Sequence, residues 1–493
     1  MATLPVVSTT SPPSLSLPSL LPPQKNNVDV NVDSYFSRPF VVHRGSDASL
    51  GTSTSEEDGS DSGSSTPDSI GTPEAISSLP SPAAEPATIA PHLFQTLQED
   101  RPTVLVVGVG YVGKHLVERF SYACNVIGFD LSAPRCKSLQ ERFDADDLAN
   151  ITMISDLESD PRAANFDLAL ISVPTILLAD NKTVDTRHIQ SAVSMVASRA
   201  RPGSTVVIES SVTVGMTRAL LGPTGADLRS KGVFVGFSPE RVDPGRQLPL
   251  FEDIPKVVAG IDDASLQVIT RYYSSSFTTV VPVKSLETAE LCKLYENCQR
   301  LMLIAYVNEV ADACEQHGVD IHDVCAASAT KPFGFTPFTS SLGAGGHCIP
   351  VNPFYLLSNS EMPLLRAAAE ANQTRPIQKA RQIASVAKER AARSKGELPT
   401  VLIYGMGFKA GEASLAYSPT VTLARELQRQ DCRVVYYDEY VQSEEWQRLP
   451  SDLFDLQTLE DCFETIVVAQ RPPLEHRAIL DSLKQATVYN FVR

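Results

Sequence analysis

The chain has 493 residues, 43% of them hydrophobic, with a formal net charge of −16 and a pI near 5.0. That length suffices for two or three domains, and an acidic chain without a basic run argues against a nucleic-acid or membrane-surface partner. The nine cysteines are scattered with no CxxC pair, which fits a reducing compartment and argues against a disulfide framework or a metal site. No apolar stretch approaches the ~20 residues of a membrane span. The first 24 residues lack a basic residue, so neither a secretory signal nor an Arg-rich transit peptide is expected, and the expected location is the cytoplasm.

Residues 1–98 are rich in Ser, Pro, Thr and Asp, as in Ser11-Pro12-Pro13-Ser14 and Ser55-Glu56-Glu57-Asp58. Such a segment buries too little apolar area to offset its chain entropy, so a disordered tail is expected there. Order begins near Arg101. Thr103–Val107 is a continuous apolar run, the pattern of a strand covered on both faces. Gly108-Val109-Gly110-Tyr111-Val112-Gly113 follows at once, then a helical pattern, then a second strand ending in Asp130, 22 positions after the first glycine. Strand, glycine turn, helix, strand and acid in that order form a dinucleotide-binding fingerprint. The helix N-terminus would supply amides to a pyrophosphate, and Asp130 would accept from a ribose 2′-hydroxyl, which favours NAD over NADP.

Further apolar runs end in Val173-Pro174-Thr175, Glu209-Ser210-Ser211 and Pro239-Glu240-Arg241-Val242. Ligands of open α/β sheets sit at the carboxyl ends of strands, so Thr175, Ser211, Glu240 and Arg241 should converge on one crevice. From about Ser285 to His317 a long helix is expected. Lys293, Asn297 and Arg300 fall within a sector of about 60° on it, while Leu294, Cys298, Leu301 and Ala305 form a packing stripe. Gly343-Ala344-Gly345-Gly346-His347-Cys348-Ile349-Pro350 then presents one thiol after a run of small residues. A bend is expected near Asn372 and Pro376. Thr400–Lys409 repeats the pattern of the first strand and glycine turn, and Cys432–Asp438 that of the second. The fold class read from this is α/β, with two Rossmann-like doubly wound domains joined by a central helical region. The expected boundaries are 99–284, 285–385 and 386–493.

These motifs, in this order and spacing from Thr103 to about Val441, resemble the UDP-glucose/GDP-mannose dehydrogenase family of nucleotide-sugar 6-dehydrogenases. Gly345-Gly346-His347-Cys348-Ile349-Pro350 is similar to the branch acting on UDP-N-acetylmannosamine or UDP-N-acetylglucosamine. The resemblance implies NAD-dependent oxidation of a UDP-sugar C6 alcohol to a uronate through a Cys348 thiohemiacetal and thioester. It assigns Lys293 and Asn297 to the reacting oxygen, Glu240 and Thr175 to positioning or activating water, and a catalytic position to Asn352. It places Gly108, Val109, Gly110, Tyr111, Val112, Gly113, Asp130, Arg135, Thr175 and Ser211 at NAD. Arg241, Val242, Lys293, Asn297, Arg300, Gly345 and Lys409 would line the substrate, and a homo-oligomer would form through the central helix.

Three positions depart from the family pattern. Asn352 stands where the family has an aspartate, and an amide cannot ionise at neutral pH. Ser414 and Ala416 stand where it has an aspartate and an arginine. These departures motivate an alternative, a pseudoenzyme that binds NAD and nucleotide sugar with impaired catalysis. A two-electron 3-hydroxyacid dehydrogenase is a third reading, but it leaves the Cys348 loop without a purpose.

Overall fold

The computed structural model describes residues 101–492 apart from 181, 243–247 and 395–397. The tail expected over residues 1–98 lies outside the described residues. The first half of the chain forms β1 (Thr103–Val107), α1 (Tyr111–Ser121), β2 (Asn125–Phe129), α2 (Ala133–Ala145), β3 (Ile151–Ile154), β4 (Leu168–Ile171), the hairpin β5 (Ile176–Leu177) and β6 (Val184–Asp185), α3 (Arg187–Ala197), β7 (Thr205–Ile208), α4 (Met216–Leu221), β8 (Phe234–Phe237), β9 (Lys256–Gly260), α5 (Asp263–Ser274) and β10 (Val280–Pro282). Its sheet runs β10-β9-β8-β7-β4-β1-β2-β3. Strands β8, β7, β4, β1, β2 and β3 are mutually parallel, and β9 turns antiparallel against β8.

The apolar runs of the sequence are explained by the two faces of this sheet. Leu105 and Val107 of β1 pack with α3 residues such as Ile189 and Val193. Val104 and Val106 point the other way, into a cluster with Leu116 and Phe120 of α1. A strand covered by helices on both sides has no face left for polar residues.

The middle of the chain is helical: α6 (Leu286–His317), α7 (Ile321–Ala329), α8 (Asn352–Leu357) and α9 (Pro363–Ser394). Ser285 caps α6 by accepting from Thr288 N at 3.1 Å, and Gly318 ends it at φ +65°. Pro376 lies inside α9, which is assigned as one helix across the expected bend. Its neighbour Arg375 pairs with Asp312 of α6, and Lys379 pairs with Asp312 and Glu315 at 2.8 and 3.2 Å. These ion pairs tie the two long helices together over the turns around Pro376, where an interior proline removes a helix hydrogen bond.

A second sheet follows, built from β11 (Thr400–Tyr404), α10 (Pro419–Arg429), β12 (Arg433–Tyr437), β13 (Gln447–Arg448), α11 (Leu456–Cys462), β14 (Thr465–Val468), α12 (Leu474–Asp481) and β15 (Thr487–Asn490). Its order is β13-β12-β11-β14-β15, all parallel. In both sheets the strand order reverses beside the first strand, at β1/β4 and at β11/β14, which is where a doubly wound sheet opens a crevice. Among the described residues, no helix is long and apolar enough to cross a membrane, and no group of His, Cys, Asp and Glu is placed to hold a metal ion.

The two halves differ at the acid that ends their second strand. Asp130 accepts from Val109 N and Ser132 N, both at 3.0 Å, one on each oxygen. Asp438 is buried and accepts four amides: Met406 N (2.7 Å), Gly407 N (3.2 Å), and Tyr440 N and Val441 N (both 2.9 Å). A carboxylate has about four lone-pair sites, so Asp130 keeps acceptor capacity for a ligand and Asp438 has none left. Asp438 is therefore a structural pin. Asp438→Ala is expected to destabilise the second sheet by roughly 3 kcal/mol or more, since it orphans buried amides. Denaturant unfolding would show this as an earlier transition, with NAD affinity unchanged.

Candidate active site

The first glycine turn fits a dinucleotide. Gly108 sits at φ +87°, and a Cβ there would lie 2.5 Å from Ser172 O; a Cβ on Gly113 would lie 2.0 Å from Gly108 O. Neither position admits a side chain, so α1 packs directly on the turn. At Gly110, by contrast, a Cβ would meet nothing within 4 Å. The turn is thus closed against the protein and open outward at Gly110, the shape that a pyrophosphate needs. Arg135, at the start of α2, lies over the turn and donates to Val109 O at 2.7 Å. Tyr111 and Val112 open α1; the Tyr111 ring meets His115 edge-on, and His115 stacks on Phe251.

Thr175, Ser211, Glu240 and Arg241 follow three adjacent parallel strands, β4, β7 and β8, at one edge of the sheet. Ser210 Oγ bridges the strand ends by donating to Val173 O at 2.8 Å. Beneath them is a buried charge cluster. Lys256, the first residue of β9, donates to Glu209 Oε2 and Glu240 Oε2, each at 2.7 Å. Glu240 Oε1 accepts from Arg241 N and Val242 N at 2.7 and 2.8 Å. The Tyr273 hydroxyl donates to Glu209 Oε1. Burial pushes the Glu240 carboxyl up, but Lys256, Lys293 and the Val242 amide together outweigh it and leave the group below the usual carboxylate range. Burial dominates at Glu209 and holds its carboxyl above that range, and it pushes Tyr273 well up. Lys293 is buried on α6, near enough to Glu240 to act on its charge.

The α6 face read as one polar stripe divides in the structure. Lys293 is buried, Asn297 half-buried and Arg300 exposed. Asn297 Nδ2 donates to Asn352 Oδ1 at 2.6 Å, and Asn352 N donates to Cys348 O at 2.9 Å. The structure therefore brings Asn297, Asn352 and the half-buried Cys348 together. Thr175 lies beside the buried Tyr355 of α8. Arg241 is turned toward α6, where it pairs with Glu296 at 2.8 Å.

The Cys348 loop has no strand or helix of its own before α8, and its backbone is held from three sides. Asn308 of α6 accepts from Ser341 N at 2.7 Å. Asn372 of α9 accepts from Ala344 N at 2.7 Å and donates to Ala344 O at 3.2 Å. Gly346 N donates to Ala416 O at 2.9 Å. Gly346 takes φ +88° against the Phe408 ring, where a Cβ would come within 2.9 Å of the ring carbons. Tyr417, at φ 48°, carries its hydroxyl to Leu177 N at 3.3 Å, joining the second half to the loop after β4. A cavity of about 230 Å³ lies at the carboxyl ends of β11 and β14, lined by Leu342, Gly343, Phe408, Lys409, Gln470 and Arg471 among others. Lys409 is thus at this cavity and not in the Cys348–Asn297 group.

Sequence reasoning missed Lys256, Tyr273, Asn372 and Tyr417 as site-building residues. Lys256 left a faint signal, a lysine opening the apolar run Val257-Val258-Ala259. Asn372 and Tyr417 left none, because their partners are backbone groups 28 and 240 positions away.

The fold and this edge define an α/β dinucleotide-binding protein with a cysteine loop set between two doubly wound halves. Comparison with known proteins narrows the class. The NAD binding domain of the UDP-glucose/GDP-mannose dehydrogenase family matches residues 102–276, and the central domain of that family matches residues 287–374, together more than half of the chain. UDP-N-acetyl-D-glucosamine 6-dehydrogenase of Pseudomonas aeruginosa is 29% identical over 360 residues, 69% of this chain and 84% of that protein. Protein CapL of Staphylococcus aureus is 35% identical over 271 residues, which span 52% of this chain and 62% of CapL. The solved UDP-D-ManNAc dehydrogenase of Pyrococcus horikoshii shares the fold, with a TM-score of 0.68 at 23% identity over 79% of this chain and 95% of that one. The chain belongs to the UDP-glucose/GDP-mannose dehydrogenase family and is an NAD-dependent oxidoreductase. The Pseudomonas aeruginosa and Pyrococcus horikoshii relatives are dehydrogenases, which gives the binding-only alternative no support.

Asn372→Ala removes both side-chain bonds to Ala344 and releases the loop before Cys348. Turnover is expected to fall about 10- to 100-fold through misplacement alone, with the NAD dissociation constant within about twofold of wild type. Initial rates and a fluorescence titration of NAD check the two halves of this expectation.

Proposed function

We propose that the chain oxidises the C6 alcohol of a UDP-N-acetylhexosamine to the uronate, using Cys348 as a covalent nucleophile. The observation that carries this reading is the fixing of the Cys348 loop beside the Asn297–Asn352 pair, next to the Lys409 cavity of the second half. NAD, when bound, accepts the hydride of each oxidation step.

The protein's own residues then have the following roles. An aldehyde gives up a second hydride only after a nucleophile has made its carbon tetrahedral, and the Cys348 thiolate does this by adding to the C6 aldehyde as a thiohemiacetal. Lys293 and Asn297 stabilise the oxygen that gains charge in that addition. Loss of hydride leaves a thioester on Cys348, and attack of water releases the uronate and regenerates the thiol. Glu240 is held ionised and takes the proton of that water, with Thr175 positioning it. Lys409 and Arg300 serve the diphosphate, Arg241 and Val242 line the sugar side, and Gly345 lets the loop approach the substrate.

Asn352 alters the last stage. Its carbonyl oxygen accepts from Asn297, and its amide nitrogen can only donate, so the side chain takes up no proton. Turnover therefore relies on Glu240 alone for a base, and hydrolysis of the thioester is the slow step. We also propose that the enzyme is at least a dimer through α6. Leu291, Tyr295 and Tyr306 are all exposed there and fall within a sector of about 60° on the helix.

Three measurements test these proposals. Formation of NADH with UDP-N-acetylmannosamine or UDP-N-acetylglucosamine, in preference to UDP-glucose and GDP-mannose, is the expected result; absence of NADH with all four from folded, NAD-binding protein would sink the reading. Cys348→Ser should abolish uronate formation. Asn352→Asp should raise kcat by about tenfold or more by supplying a second base, and an unchanged rate would remove Asn352 from the slow step.

A further inference from the structure

We propose that Lys256 is a positioning residue for this reaction: its ammonium, held between the Glu209 and Glu240 carboxylates, fixes the Glu240 carboxylate at the end of β8 and ties it to the strand end that carries Ser210 and Ser211. The inference rests on the reading of Glu240 as the base.

The cluster has more order than a chance ion pair. All three side chains are buried: Lys256 3%, Glu209 1% and Glu240 4% exposed. The ammonium bonds one carboxylate just after β7 and one after β8, and its remaining reach is toward Pro239 O at 3.5 Å. The rings of Tyr273 and Phe277 lie beside it, with centroids at 6.0 and 5.5 Å. Glu240 has one oxygen held by two backbone amides and the other by Lys256. Its side chain therefore has one available orientation.

Stability does not call for this arrangement. A lysine between two buried glutamates takes charge out of water and into the sheet, and well-packed apolar residues of similar volume are often as stable or more so. The cluster also lies at the carboxyl ends of β7 and β8, the edge where an α/β sheet binds its ligands. Glu209 is followed at once by Ser210, whose hydroxyl bridges to Val173 O, and by Ser211. The same ammonium thus holds the base on one side and the strand end of the NAD site on the other. The charged and titratable groups that act on Glu240 are Lys256 on β9, Glu209 just after β7, Tyr273 on α5, Lys293 on α6 and His115 on α1. Of these, Lys256 alone is bonded to Glu240.

The test combines a spectroscopic readout with kinetics. Infrared difference spectra of wild type against Glu240→Gln at pH about 5 should show no protonated-carboxyl band in the wild type. In Glu209→Gln/Lys256→Met, which removes the ammonium together with one of its two carboxyl partners, such a band should appear at that pH and vanish on adding Glu240→Gln. The double variant should lose kcat about 10- to 100-fold. The acid limb of its pH profile should move up by about one unit or more, with the NAD dissociation constant within about threefold of wild type. Lys256→Arg, which keeps a cation, should recover most of kcat and the original acid limb. A protonated Glu240 in the wild type overturns the proposal, even if the double variant does not fold. So does a folded double variant with wild-type kcat and acid limb, or one whose whole loss lies in NAD affinity. A wild type that forms no NADH defeats the proposed function instead, and the infrared comparison still decides the role of Lys256.

Discussion

The position of Cys348 depends on hydrogen bonds to the backbone of residues 341–346. A loop rich in small residues has little side-chain surface with which to anchor itself, so other elements must hold its amides and carbonyls. Asn308 of α6 takes Ser341 N, Asn372 of α9 takes both sides of Ala344, and Ala416 of the second half takes Gly346 N. The two long helices are themselves locked by the Asp312, Arg375 and Lys379 pairs. The thiol is therefore placed where the helices and the second sheet meet, and displacement of any of the three would move it.

The same economy separates the two halves. Both begin with a strand, a glycine turn and a second strand ending in an aspartate. In the first half the aspartate keeps acceptor capacity and the turn is open at Gly110. In the second the aspartate is saturated by four amides, and a Cβ on Gly407, the counterpart of Gly110, would lie 2.4 Å from Glu412 O. One half is left free to take a dinucleotide, and the other is closed at the equivalent turn and offers a side cavity instead.

Much of this was legible in the sequence where the signal is local. The strand runs, the glycine turn and Asp130 lie within thirty residues of one another and follow from sheet burial and turn geometry. The long helix was legible from its period, although the division of its polar face was not: whether Lys293 is buried and Arg300 exposed depends on what packs above them. Pro376 lies inside α9 rather than at its end, and the sequence shows its missing amide but not the ion pairs to α6 on either side of it. Lys256 was missed for a related reason. Its meaning comes from Glu209, 47 residues before it, and Glu240, 16 residues before it, which only the pairing of β9 with β8 brings together.

The account requires that one thiol carries the substrate through two oxidations. The stoichiometry of NADH formed per UDP-N-acetylhexosamine consumed tests this most directly. Two equivalents of NADH with one uronate, and no free aldehyde trapped by a hydrazine, is the predicted result. One equivalent of NADH, with the aldehyde released to the trap, would contradict it.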